Sequence, residues 1–165
     1  MDEINPQNYA YIDGANLDKA TTQSGWKVDY AKLYVWLKDK FAIDRAYIFI
    51  GYVSRYKKLY AKMRRAGFEL VFKDIGHVDN QVKGNCDADL VLRLVRDVYE
   101  NGSDTIVVIS SDGDFSSSVL FLKEKRKTPH IISPSKRCSV FLMRTGAPVT
   151  YLDELRNNLS LDGWP

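Results

Sequence analysis

Short apolar runs, rich in β-branched and aromatic residues, alternate along the chain with longer segments whose apolar residues recur at helical spacing. The short runs are typical of buried strands, and the longer segments are typical of amphipathic helices. Strands are predicted at residues 9–13, 45–53, 68–75, 105–109 and 129–133. Helices are predicted at residues 30–40, 54–66, 86–99, 115–125 and 151–159, with a short helix or turn at 139–143. Residues 19–27 and 76–85 show neither period and are predicted as loops.

Strands that alternate with helices predict a parallel sheet covered by helices on both faces. We therefore predict a three-layer α/β/α fold with about five strands in a central, mostly parallel sheet. Right-handed crossovers would place the loops that lead from strand to helix on one edge of that sheet. The chain of 165 residues has the length of one domain, and no repeat or linker divides it. A single domain over residues 1–165, with its core at about 9–159, is predicted.

Composition limits the class of protein without naming its function. With 45% hydrophobic and 27% charged residues, the chain is typical of soluble globular proteins. No apolar stretch approaches the length of a membrane span, and the polar first residues lack the apolar centre of a signal peptide. We therefore expect a cytoplasmic protein with no membrane partner. Cys86 and Cys138 have neither CxxC spacing nor a nearby histidine pattern, which disfavours a zinc site or a disulfide.

Carboxylates occur at three points that the predicted fold brings to one edge of the sheet. Asp13 ends the first strand, and Asp112 and Asp114 follow the fourth strand on either side of a glycine. Asp87 and Asp89 lie in the first turn of the helix before that strand. Each aspartate taken alone is explained by helix capping. Because open α/β sheets bind ligands outside the carboxyl ends of their strands, we expect the five acids to share one polar crevice.

The predicted crevice has the chemistry of a metal site. Several carboxylates in one place would repel one another unless a cation compensated their charge. The ligand atoms are all oxygens, so the expected cation is a hard one, Mg²⁺ or Mn²⁺. Such a site suits metal-assisted hydrolysis of a phosphodiester, in which a water is activated and the leaving oxygen is stabilised.

Three segments resemble the motifs of the NYN domain, a family in the PIN-like superfamily of metal-dependent nucleases. These segments are YIDGAN at residues 11–16, KGNCDADLVL at 83–92 and SSDGDF at 110–115. The resemblance extends over nearly the whole chain, and the combination of three motifs in order is specific where each alone would be weak. It implies a PIN-like fold and a Mg²⁺- or Mn²⁺-dependent ribonuclease with RNA as its partner.

The resemblance also implies roles for individual residues. The acidic metal-binding set, with the last member as an additional candidate, would be Asp13, Asp87, Asp112, Asp114 and Asp89. Asn16 would orient the carboxylates or contact the scissile phosphate, and Ser111 would hold a phosphate or a water. Lys83 would face the phosphate, although a solvated loop lysine explains this residue equally well.

Basic residues cluster on the predicted helix at 54–66 and again just after the fifth strand. Such clusters bind backbone phosphates with little sequence preference, whereas many charge runs are only solvated helix faces. Four candidates for phosphate binding are expected on the acidic edge: Arg55, Lys57, Lys136 and Arg137. The net charge of +3 permits a nucleic-acid partner without requiring one. Tyr56, Tyr60 and Trp164 are expected to be exposed, which leaves a homodimer open.

Other functions remain compatible with these residues. A non-catalytic RNA-binding or regulatory module could keep the same fold without turnover. A phosphatase of the haloacid dehalogenase type would need a DxD arrangement after the first strand, where Asp13 is instead followed by Gly14 and Ala15. A nucleotide-binding enzyme is disfavoured because neither a P-loop motif nor GxGxxG occurs. The leading prediction is a Mg²⁺- or Mn²⁺-dependent endoribonuclease.

Overall fold

The computed structural model describes residues 7–73, 76–78, 81–83 and 86–162 of the chain. The strands are β1 (Gln7–Asp13), β2 (Arg45–Gly51), β3 (Glu69–Lys73), β4 (Gly76–Val78), β5 (Gln81–Lys83), β6 (Ser103–Ile109), β7 (Thr128–Ser133) and β8 (Val149–Tyr151). The α-helices are α1 (Gly14–Gln23), α2 (Tyr30–Phe41), α3 (Lys57–Ala66), α4 (Asp87–Glu100), α5 (Ser116–Glu124), α6 (Val140–Met143) and α7 (Arg156–Leu159). Single 3₁₀ turns occupy Ser54–Tyr56, Gly113–Phe115 and Leu152–Leu155.

Six of these strands form one sheet in the order β3-β2-β1-β6-β7-β8, and every neighbouring pair is parallel. The predicted parallel α/β fold is confirmed, with six strands in place of about five. Strand order reverses between β1 and β6, because the chain builds outward from β1 in one direction and from β6 in the other. Open α/β sheets form their ligand crevice at such a switch point, outside the carboxyl ends of the strands.

Helices cover both faces of the sheet because successive strand side chains point to opposite sides. On one face α1, α2, α3 and α7 bury apolar side chains against Ala10 and Ile12 of β1. On the other face α4, α5 and α6 pack against Tyr9 and Tyr11 of the same strand. By this alternation, Asp13 points to the face that α4 and α5 cover.

A buried hydrogen-bond network holds α4 against the sheet. The Asp97 carboxylate, which is almost fully buried, accepts bonds from the Tyr11 hydroxyl at 2.7 Å and from Arg93 Nε at 3.2 Å. Arg93 Nη2 also donates to the Tyr47 hydroxyl at 2.9 Å. Burial, together with the bond to Asp97, raises the pKa of Tyr11 above its ordinary value. These contacts set how far α4 lies along β1, and therefore where Asp87 at its first turn is placed.

Two segments predicted as loops contain regular structure. The helix α1 begins directly after Asp13 and extends to Gln23, so part of the region 19–27 is helical. The sequence of α1 shows little helical periodicity of apolar residues, because Leu17 is the one large apolar side chain among its buried residues, which also include Gly14 and Thr21. Within the region 76–85, β4 and β5 pair as an antiparallel hairpin. Each of these strands has three residues, too few to show a period of two.

Two further predictions are corrected at the end of the chain and in α3. Tyr151 ends the short strand β8, so the predicted final helix is a 3₁₀ turn followed by the four-residue α7. Tyr60 is only 2% exposed, because its hydroxyl donates to Gly51 O and accepts from Val53 N at the end of β2. Trp164 lies outside the described residues.

Several boundaries agree with the sequence patterns. Asp29 caps α2 through two backbone amides, and Gly67 ends α3 with a positive φ of 118°, as a glycine after a helix often does. Among the described residues, no helix is long and apolar enough to cross a bilayer.

Candidate metal centre

Three carboxylates converge at the switch point of the sheet. One oxygen each from Asp87, Asp112 and Asp114 lies within 4.8 Å of the other two. Asp87 comes from the first turn of α4, and the other two come from the turn between β6 and α5. Asp87 and Asp112 are partly buried, whereas Asp114 is exposed. The group is therefore open to solvent on one side, as a site that receives a substrate must be.

The turn after β6 is shaped by hydrogen bonds that its own acids and hydroxyls make. Asp112 has extended backbone angles, and its Oδ1 accepts a bond of 2.9 Å from the amide of Asp114. Ser110 Oγ accepts a bond of 3.1 Å from the amide of Asp112. Asp112 thus caps the 3₁₀ turn and also belongs to the acidic group, so capping and a site role coexist in one side chain.

Asp13 lies deeper than the other acids and is only 8% exposed. It caps α1 by accepting a 3.2 Å bond from the amide of Asn16, and its second oxygen accepts a 3.3 Å bond from Ser110 Oγ. Burial raises the pKa of Asp13 to about 6, the backbone bond from Asn16 opposes that rise, and the charges of Asp87 and Asp112 add to it. Asp13 therefore lies close enough to the group to feel its charge, although it is not one of the three acids within 4.8 Å of one another.

The side chain of Asn16 joins the end of the first motif to the start of the third. Asn16 Oδ1 accepts a 3.0 Å bond from the amide of Ser111, and Asn16 Nδ2 lies 3.1 Å from Ser111 Oγ. The amide group of Asn16 therefore bridges the first turn of α1 and the turn that carries Asp112. That Asn16 orients the carboxylates stays a prediction, and these contacts place its side chain against the acidic turn.

The sequence model of one protein family, the NYN domain, matches residues 9–145. The chain belongs to the NYN domain family. Membership makes the domain nuclease-like at a coarse level, and the acidic group is one that could hold a metal ion. No curated protein matches the chain.

The fold of this NYN domain is also that of a solved structure. A crystal structure of a protein of unknown function from Vibrio parahaemolyticus is similar to it with a TM-score of 0.82. The two sequences are 18% identical, and the similarity covers 98% of this chain and 99% of the other. At that identity the similarity shows the fold alone.

One predicted ligand of the NYN domain lies apart from the acidic group. Asp89 is two residues after Asp87 on α4, and residues at that spacing do not face each other on a helix. Its carboxylate instead lies 4.0 Å from Lys73 Nζ at the end of β3. We therefore do not place Asp89 in the group, although it remains near it.

The predicted phosphate-binding residues of the NYN domain lie on both sides of the acids. Arg55 and Lys57 are exposed just after β2, which is next to β1 in the sheet. Lys136 and Arg137 are exposed just after β7, which is next to β6. Each basic pair therefore follows a strand that is next to one of the two strands at the switch point. The side chain of Lys83 lies outside the described residues.

Sequence reasoning did not single out two serines that shape the site. Ser110 is fully buried and bonds both Asp13 and the amide of Asp112. Ser139 donates its amide to Ser111 O at 3.1 Å and so ties the segment after β7 to the acidic turn. A hydroxyl at the end of an apolar strand was a signal for Ser110, whereas no sequence pattern points to Ser139.

An apolar cleft of about 450 Å³ adjoins the acids, with Asp87 and Asp114 at its margin. It is lined by Phe115 of the 3₁₀ turn before α5 and by four residues of α4: Ala88, Val91, Leu92 and Val95. The acidic group therefore has water on one side and apolar surface on another.

Proposed function

We propose that this NYN domain is a Mg²⁺- or Mn²⁺-dependent endoribonuclease that hydrolyses phosphodiester bonds of RNA. The observation that carries the proposal is the convergence of Asp87, Asp112 and Asp114 within 4.8 Å at the switch point of the sheet. Family membership supports the nuclease class. The choice of RNA over DNA rests on the resemblance of the three motifs to NYN nucleases.

The residues present fit a hard divalent cation. The group offers carboxylate oxygens without a cysteine or histidine, which are the ligands that Mg²⁺ and Mn²⁺ prefer. Within the described part of the chain, no lysine or arginine forms an ion pair with Asp13, Asp112 or Asp114. Burial, and to a smaller extent the charges of Asp87 and Asp112, raise the pKa of Asp13, and a cation between the acids would offset the repulsive part of that cost.

The protein side chains would divide the work as follows. Asp87, Asp112 and Asp114 would hold the cation, and Asp13 would support them from the buried side. When bound, the cation supplies Lewis acidity that polarises a phosphoryl oxygen and lowers the pKa of a water. Asn16 keeps the turn after β6 in place through its bond from the amide of Ser111.

Asp13 also couples cation binding to protons. Because carboxylates at a cation site must be deprotonated, a carboxyl whose pKa is about 6 has to release its proton when a cation binds below about pH 6. Cation affinity is therefore expected to rise between about pH 5 and 7 and then level off.

The basic pairs beside the acids would hold the phosphates that flank the scissile bond. Arg55 and Lys57 would lie on the β2 side, and Lys136 and Arg137 on the β7 side. Contacts of this kind carry no base information and weaken steeply with salt. We therefore expect RNA affinity to fall as salt rises.

Cleavage of a labelled circular single-stranded RNA tests the proposal, because only an endonuclease opens a circle. We expect cleavage in Mn²⁺ or Mg²⁺, none in EDTA, and a loss of more than about 100-fold in Asp112→Asn. The matched control is Asp104→Asn, which changes the same residue type near the opposite end of β6 and should cleave at the parental rate.

Three results would contradict the proposal. Cleavage that survives EDTA or the Asp112 substitution would mean that the acidic group does not carry the activity. Degradation of linear RNA without cleavage of circular RNA would mean that the protein is an exonuclease. RNA that stays intact in a salt-sensitive complex would identify the non-catalytic binding module instead.

A further inference from the structure

The short helix α6 presents an aromatic ring to solvent. Phe141 is 61% exposed, and its neighbours Val140 and Met143 are also exposed, while Leu142 is fully buried and anchors the helix. A phenylalanine that keeps most of its surface in water adds little to the stability of the fold. Packing in the core therefore does not explain why a phenylalanine occupies this position.

The ring lies directly against the acidic turn. A Cβ atom placed on Gly113 would come within 3.2 Å of Phe141 Cδ2 and within 2.5 Å of Ser139 Oγ. Gly113 separates Asp112 from Asp114, so the ring borders the turn that holds two of the three converging acids. Because Gly113 has no side chain, the segment before α6 approaches this turn closely without displacing Ser139 or Phe141.

The segment that leads to this ring is fixed and positively charged. Ser133 Oγ donates to Ser135 O at 2.6 Å, and Ser135 Oγ accepts from the amide of Arg137 at 3.2 Å. The side chains of Lys136 and Arg137 remain exposed on this framework. An exposed ring, two cations and an acidic site thus follow one another along the edge of the sheet. Aromatic rings beside cations that track a phosphate backbone are the usual composition of a surface that binds single-stranded nucleic acid.

We propose that Phe141 stacks an unpaired nucleobase of the RNA, next to the phosphate that is cleaved. The inference rests on the proposed function, because it assigns the aromatic ring to the substrate of the same site. Stacking uses the face of the base and tolerates any sequence, so it would place the strand without selecting a base. A base inside a duplex is already stacked on its neighbours, so Phe141 would favour single-stranded RNA.

Binding of a labelled single-stranded RNA in EDTA tests the inference without turnover. We expect Phe141→Ala to raise Kd by about 5- to 150-fold, the range that alanine substitution of a stacking ring gives. Phe141→Trp should bind at least as tightly as the parent, and its new fluorescence should be quenched by RNA. The matched control is Tyr99→Ala, because Tyr99 is 65% exposed on the same face of the sheet but lies twelve residues along α4 from Asp87, about 18 Å away.

An RNA with an abasic residue beside the cleaved bond separates stacking from other roles of the ring. Kd for the abasic RNA should be the same for the parent and Phe141→Ala, because the partner of the ring has been removed. The inference is overturned if Phe141→Ala binds intact RNA as the parent does, or if the loss persists with the abasic RNA. A Phe141-dependent change in sedimentation without a change in Kd would also overturn it and identify a second copy of the chain as the partner.

The inference and the proposed function can fail separately. RNA that is bound through Phe141 but never cleaved in Mn²⁺ or Mg²⁺ would refute the nuclease and support the stacking role. Cleavage that is normal in both Phe141→Ala and the parent, with equal Kd, would support the nuclease and refute the stacking role. Absence of RNA binding by the parent protein in EDTA, together with absence of cleavage in Mn²⁺ or Mg²⁺, would refute both.

Discussion

Replacement of Asp13 by asparagine should make the metal-free protein more stable. Asp13 is buried beside Asp87 and Asp112, and its pKa is about 6 against an ordinary value of 3.8. Asparagine has the same shape and still caps a helix well, so the bond from the amide of Asn16 is retained. The Ser110 hydroxyl can rotate to accept a bond from the new amide group.

The magnitude follows from the pKa shift. Because the folded-state pKa is raised, the folded protein binds more protons than the unfolded chain between about pH 4 and 6. Stability therefore falls as pH rises through that range, and above it the full penalty of about 2 pKa units, or about 3 kcal/mol, remains. In Asp13→Asn this penalty is absent, which corresponds to a rise in Tm of about 6–12 °C at pH 8 for a chain of this size.

Urea unfolding in EDTA at pH 4 and pH 8 would measure the effect. The difference between Asp13→Asn and the parent should be small at pH 4 and about 3 kcal/mol in favour of the variant at pH 8. Exposed Asp39 provides the control, because Asp39→Asn makes the same change of side chain at the surface instead of in a buried position. Equal or lower stability of Asp13→Asn at pH 8 would refute the reasoning. Saturating Mn²⁺ should reverse the order, since a bound cation stabilises the parent by mass action.

Three further predictions test single contacts of the site. Asp87→Asn should abolish the rise in Tm that Mn²⁺ causes, whereas Asp89→Asn should keep that rise. Loss of the half-exposed ion pair with Lys73 should lower the free energy of unfolding of Asp89→Asn by at most about 1 kcal/mol. An equal response of Tm to Mn²⁺ in the two variants would contradict the assignment of Asp87 to the acidic group. Asn16→Ala should slow RNA cleavage by about 10- to 100-fold, because the acidic turn loses the hydrogen bond between the Ser111 amide and Asn16. The far-ultraviolet circular dichroism should stay unchanged. An unchanged cleavage rate would argue against a role of Asn16 in positioning the turn. Gly113→Ala should lower the free energy of unfolding by about 1–3 kcal/mol, because the added Cβ would clash with Ser139 Oγ. Adding Ser139→Gly to the same chain should recover part of this loss. No recovery would mean that the clash is not the cause.

Predictions from sequence succeeded where a pattern was long or its ends were marked. The helix α4 shows apolar residues at helical spacing over fourteen residues, and it was predicted to within one residue. Asp29 and Gly67 marked a helix start and a helix end through capping chemistry that needs only local backbone. The buried strands β1 and β6 showed as apolar runs because both of their faces are covered.

Predictions failed where packing partners decide the structure. The three-residue strand β8 exists because it pairs with β7, and its own residues carry no signal of that pairing. Tyr60 was expected to be exposed among charged neighbours. It is buried instead, because its hydroxyl forms hydrogen bonds with backbone groups near the end of β2. Both effects come from partners outside the segment that carries the pattern, because β7 precedes β8 and Gly51 and Val53 precede the helix that contains Tyr60.

The amino-acid sequence by itself determined the order of the longer strands and helices, apart from α1, and, through the parallel sheet, the edge on which the acids lie. It also identified the family through three motifs. Only the tertiary structure decided which acids meet. Asp87, Asp112 and Asp114 converge, Asp89 turns toward Lys73, and Asp13 lies buried behind them with a raised pKa. The physical reason is that side-chain distance and desolvation depend on how α4 and the turn after β6 pack on the sheet, and that packing is set by contacts between residues far apart in sequence.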